Sequence, residues 1–136
     1  MRKALFGVPE TKRLPAEAYT TEVTGKVYDR LAAKARRVLA AGHSAIVDAV
    51  FARREERDTV ARIAPAAFHG LFLTADLDTR IARVGARTGD ASDADAAIAR
   101  AQEQYQLGPL AWHEVDASGT PQQTLQRAKA ALGSQK

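Results

Sequence analysis

Two apolar runs, SAIVDAVF at residues 44–51 and FHGLFLTA at residues 68–75, constrain the fold most. Each is nearly continuous rather than alternating. Strands covered on both faces read this way, and such strands belong to parallel sheets flanked by helices. The segments around them have helical spacing. From about Thr21 to Ala41 the residues Val27, Tyr28, Leu31, Ala35, Val38 and Leu39 recur on one side, and Gly42 offers a left-handed stop. The polar stretch ARREERDTVARIAP carries a narrow stripe of Val60, Ile63 and Ala64, closed by Pro65. Leu77, Ile81 and Val84 mark a third helix led by Asp76 or Asp78, and Ser92 with Asp95 announces another over DADAAIARAQEQY. A short third strand, AWHEVDA, precedes a last helix signalled by Thr120 as cap, Pro121 at the first turn and Gln123 closing a capping box. Leu125, Ala128 and Leu132 would face inward there. The first fifteen residues read as loop, with Gly7, Pro9 and Pro15 as breakers.

Strand, helix, strand, helix, helix, strand, helix is the rhythm of an α/β fold with a parallel sheet. Ligands of such sheets bind beyond the carboxyl ends of the strands. Asp48 with Phe51 and Arg53, Thr74 with Asp76, and Asp116 with Ser118 all fall at or just past those ends, so they are expected on one rim.

Composition narrows the chemistry. A chain of 136 residues, 46% hydrophobic and 26% charged, suits one domain spanning residues 1–136. It has no cysteine, which excludes disulfide scaffolds, thiolate zinc sites and cysteine nucleophiles. His43, His69 and His113 are dispersed without metal-ligand spacing and read as structural. Ser118 in DASG lacks the strained elbow of a hydrolase, and Trp112 reads as a core or edge aromatic. No stretch approaches the ~18 apolar residues of a membrane span, and the N-terminus lacks the layout of a secretory signal, so a cytoplasmic protein is expected. The net charge of +4 favours an anionic partner, either a phosphorylated small molecule or a nucleic acid. With aromatics at 6% and no base-reading motif, nucleic acid ranks last.

SAIVDAVFARREERD, FHGLFLTADLDTRIARVGARTGDASDAD and LAWHEVDASGTPQQTL together resemble the C-terminal two thirds of small P-loop kinase-like ATP-binding domains. These domains are often fused to aminoglycoside-phosphotransferase-like domains and are similar to gluconate kinases, polynucleotide kinases and zeta toxins. The resemblance implies a three-layer α/β/α, P-loop NTPase-like domain with a parallel sheet, ATP and magnesium as cofactors, and a small hydroxylated phosphoryl acceptor. In the family an apolar strand ending in Asp takes the Walker B role, which falls on Asp48. A lid, here residues of about 80–105, clamps phosphates with arginines, which fall on Arg80, Arg83 and Arg87. The loop after the last strand lies by the adenine, which falls on Ser118 and Gly119.

The family's phosphate loop, G-x-x-x-x-G-K-[ST], occurs nowhere in the 136 residues; Gly25-Lys26 is followed by Val27. The segment RKALFG at residues 2–7 matches the stretch that follows the family's second strand. The chain therefore resembles an N-terminally truncated domain without its first two strands and phosphate loop, and it is expected to be inactive alone. In the family's sheet order, 2-3-1-4-5, the missing first strand lies between the two long apolar runs. Their exposed edges are expected to pair with each other, with a second copy or with a completing chain, which makes a non-catalytic interaction module the alternative reading.

Each candidate also has a purely structural reading. Asp48 could cap a neighbouring backbone group, and Arg80, Arg83 and Arg87, spaced three and four apart, could form a solvated helix face. Asp90 and Asp93 read as loop and cap residues rather than metal ligands.

Overall fold

The computed structural model describes residues 1–9, 11–86 and 95–133. It is an α/β arrangement of helices around a small parallel sheet. Contrary to the loop reading, the N-terminus opens with a short helix, α1 (Arg2–Leu5), followed by a 3-10 turn (Ala16–Tyr19). Arg2 ties the two together: its guanidinium donates to Ala18 O at 2.5 Å and Thr24 Oγ1 at 3.1 Å, and lies 5.0 Å from the Tyr19 ring centroid.

Helix α2 (Thr21–Ala40) has both of its expected ends. Thr20 Oγ1 accepts from Val23 N, supplying a partner to one of the first-turn N–H groups. At the other end Gly42 has φ +81°. Gly42 N donates to Leu39 O and His43 N to Val38 O, the paired bonds of a Schellman motif that only a residue free to take positive φ closes cheaply. Val27, Ala32 and Ala35 form its buried stripe, while Val38 and Leu39 stay more than a third exposed.

Helix α3 (Arg54–Ala61) follows, and then strand β1 (Leu71–Thr74), helix α4 (Leu77–Gly85), helix α5 (Ala96–Gln102), strand β2 (His113–Asp116) and helix α6 (Pro121–Gly133). The strands pair in parallel, Leu71 opposite His113 through Thr74 opposite Asp116. His113 N to Gly70 O and Ala117 N to Thr74 O extend the ladder at either end. Two caps anticipated from the sequence are present: Asp76 accepts from Thr79 N, and Thr120 and Gln123 bond each other's backbone N–H reciprocally. Asp95, expected to close a box begun by Ser92, instead caps α5 itself by accepting from Ile98 N, and Ser92 lies outside the described residues.

The first apolar run departs from expectation. Residues 44–50 form no strand, and their backbone meets no hydrogen-bond partner among the described residues. A strand is a ladder and needs a neighbour. Nor do 44–50 and β1 pair with each other. A cleft of about 1350 Å³ lies between them, roofed by residues of α6.

An aromatic file stands beside this cleft. Tyr28, Phe51, Trp112 and Phe68 follow one another at centroid spacings of 5.3, 5.0 and 5.5 Å, so Trp112 is a packing residue. Gly70 is buried directly under the Trp112 ring. The remaining core is thin and rich in alanine, with Ala18, Ala32, Ala35, Ala99 and Ala117 among its buried members.

Candidate functional site

The rim beyond the carboxyl ends of β1 and β2 is built from backbone and carboxylate chemistry. Pairing Thr74 with Asp116 brings the two exits side by side. From the β1 exit, Asp76 N donates to Ser118 Oγ at 3.2 Å. From the β2 exit, Asp116 Oδ1 accepts from Ser118 N at 2.8 Å. The serine thus bridges the two loops.

Helices α4 and α6 fix this bridge from outside. Arg83 donates to the carbonyls of Ala117 and Gly119 at 2.6 Å each, and more loosely to that of Ser118. Arg127 donates to Asp116 O at 2.8 Å and forms an ion pair with its carboxylate at 2.7 Å. Residues 116–119 therefore form a loop whose carbonyls are occupied by one guanidinium and whose leading carboxylate is held by another.

These contacts set the rim's protonation. The Asp76 carboxyl is held below the usual carboxylate range, first by the backbone N–H of Thr79 and then by its hydroxyl. Asp116 is held low first by the backbone N–H of Ser118, with its hydroxyl and Arg127 adding to the effect. A depressed carboxyl contributes stability that is present above its unfolded value, about 3.9, and is lost as pH falls through the folded value. The amide resonances of Thr79 and Ser118 should therefore titrate with midpoints below pH ~3.9. Asp116→Asn should abolish the Ser118 transition and leave that of Thr79. A midpoint above the unfolded value at either amide would contradict this geometry.

The site residues expected from sequence separate into groups. Arg83, Ser118 and Gly119 come together at the rim. Arg80, one turn earlier on α4, turns to α5 and pairs with Glu103, and its Nε is buried with no partner among the described residues. Arg87 lies outside the described residues, as do Asp90, Ser92 and Asp93. Asp48 is exposed on the 44–50 segment and lines the same cleft as Arg83.

The sequence reading missed a second polar cluster, at the exit of the 44–50 segment. Phe51 takes φ +50°, a left-handed conformation rarely adopted by a bulky residue. Its N–H donates to the Tyr28 hydroxyl at 2.9 Å, and burial pushes the Tyr28 phenol up to about 12. Arg57, 3% exposed, donates to the carbonyls of Phe51 and Ala52 on one side and of Leu107 and Pro109 on the other. The signal was available: Arg57 lies three residues before Val60, on the apolar stripe of its own helix.

Among the described residues no group of three or more histidine or carboxylate side chains could hold a metal ion. Asp48 belongs to no such group. No helix among the described residues is long and apolar enough to cross a membrane.

A small parallel sheet flanked by helices is consistent with an α/β, P-loop-like fold. The profile of a family described as an AAA domain matches residues 1–108, and the chain belongs to that family, whose members are P-loop NTPase-like and kinase-like. No curated protein and no solved structure matches the chain.

Proposed function

We propose that these 136 residues are the adenine-side and lid portion of an ATP-binding, kinase-like domain and do not transfer phosphate by themselves. The supporting observation is the rim itself, where Arg83 gathers the 117–119 carbonyls into a fixed loop at the strand exits. A preorganised loop of this kind can meet a base without further ordering cost. Intact relatives would pass a γ-phosphoryl group to a small hydroxylated acceptor.

The phosphate side is the weaker half of this reading. Phosphoryl transfer is mostly positioning and electrostatics, supplied by a nest of backbone N–H groups, a lysine and a metal. Here Arg80 would have to exchange Glu103, and Arg83 its three carbonyls, for phosphate oxygens. Asp48 would serve the metal only indirectly.

Titrating the 136-residue chain with ATP and magnesium, observed by amide chemical shifts, tests both halves. ATP should move the Ser118 and Gly119 amides with a dissociation constant of about 1 mM or weaker, and no phosphate should be released. Silence at residues 117–119 would refute the nucleotide reading. Submillimolar binding abolished by Arg83→Ala would refute the claim that the phosphate side is disabled.

A further inference from the structure

Arg127, midway along α6, reaches back along its own helix to the strand exit from which that helix starts. Both of its bonds leave one nitrogen, Nη1, at 2.8 Å to the Asp116 carbonyl and 2.7 Å to Asp116 Oδ2. The carboxylate passes the constraint on. Its other oxygen, Oδ1, accepts from Ser118 N at 2.8 Å, and Ser118 Oγ accepts from Asp76 N at 3.2 Å. An unbroken chain of bonds thus runs from α6 through the carboxylate and the serine to the exit of β1.

Stability does not call for this arrangement. The Arg127 and Asp116 side chains are 45% and 55% exposed, and an ion pair so open to solvent adds little to the folded state. What it restricts is the Asp116 side chain and, through it, the Ser118 N–H. Arg83 cannot replace it, because Arg83 grips the same loop from α4 by its carbonyls and leaves the N–H groups unconstrained.

We propose that Arg127 is a positioning residue of the nucleotide site, acting through Asp116 and Ser118 on the loop that meets the base rather than on phosphate. This role rests on the nucleotide reading, and it adds a residue that lies beyond the matched residues 1–108. A loop already fixed needs no further ordering when the base arrives, whereas one released from α6 must be ordered at that moment. The effect on affinity is therefore independent of how many phosphates the nucleotide carries.

Amide chemical shifts of the 136-residue chain, titrated with AMP and separately with ATP, test the role. Arg127→Met should raise both dissociation constants by the same factor, at least about threefold, and leave the helical circular dichroism unchanged. Arg127→Lys should restore both, because an ammonium is a compact donor and can make the two bonds that Nη1 makes. Without nucleotide, the Ser118 amide should titrate at higher pH in Arg127→Met than in the parent, since Asp116 loses the cation beside it, and as in the parent in Arg127→Lys. A loss several times larger for ATP than for AMP would mean that the guanidinium serves phosphate by its charge, and would overturn the role. So would the absence of recovery in Arg127→Lys. A parent chain that binds while Arg127→Met binds equally well overturns this role alone. A parent whose residues 117–119 respond to neither nucleotide overturns the nucleotide reading and this role with it.

Discussion

Replacing Arg57 by alanine should cost about 3 kcal/mol and lower the melting temperature by roughly 10 °C or more. The guanidinium is 3% exposed and bonds four main-chain carbonyls, two at the entry to α3 and two in the loop that leads towards β2. Deleting it leaves those acceptors with no donor, and each buried orphan costs about 1–3 kcal/mol where water cannot reach it. The loss should exceed the sum for a surface arginine because two segments some fifty residues apart share this single strut. Arg57→Lys should recover less than half of the loss, since an ammonium is a point donor and cannot span both pairs as a planar fork does. Thermal unfolding followed by circular dichroism measures both variants. An Arg57→Ala chain within about 1 kcal/mol of the parent would mean that solvent already reaches those carbonyls.

Arg57 also shows where sequence reasoning reaches its limit. In ARREERD three arginines and two glutamates look alike by type, and only the position of Arg57 on the Val60 stripe separates it from solvated neighbours. What it bonds to cannot be read locally, because Leu107 and Pro109 are brought to it by the rest of the fold. The helix ends were legible for the opposite reason. Asp76 and the Thr120–Gln123 box each satisfy a backbone N–H within three residues, so their chemistry is complete in a short string. The Schellman closure at Gly42 is equally local.

The apolar runs lie between these extremes. FHGLFLTA contains a strand because AWHEVDA lies beside it, though only four residues of each join the ladder. SAIVDAVF is as apolar and its residues 44–50 have the period-two burial of a strand, but they have no neighbour to bond among the described residues. Apolar content reports what a segment can become, and pairing decides what it is. At the rim, the resemblance assigned Ser118 and Gly119 to the adenine and Arg83 to a separate, phosphate-clamping lid. It gave no sign that Arg83 would bond the loop's carbonyls, because nothing in the spacing of a helical arginine says which backbone oxygens lie opposite it.

The second large effect is expected at Gly70, immediately before β1. A methyl group there would lie 2.5 Å from Cδ2 and 2.6 Å from Cδ1 of the Trp112 ring, well inside any tolerable contact. A long flexible side chain could step aside, but this ring is held by Phe51 at 5.0 Å and Phe68 at 5.5 Å. Relief through the backbone would strain the bond from His113 N to Gly70 O that starts the ladder. The cleft offers the ring open space, yet moving there would forfeit both aromatic partners. Gly70→Ala should therefore destabilise by about 2–3 kcal/mol and shift the fluorescence of the single tryptophan to the red. Gly25→Ala is the internal comparison, because its Cβ meets nothing within 4 Å in the middle of α2. That change should stabilise by up to about 1 kcal/mol through helix propensity alone. Equal stability of the two variants would show that Trp112 does not rest on Gly70 in solution, and the aromatic file beside the cleft would have to be redrawn.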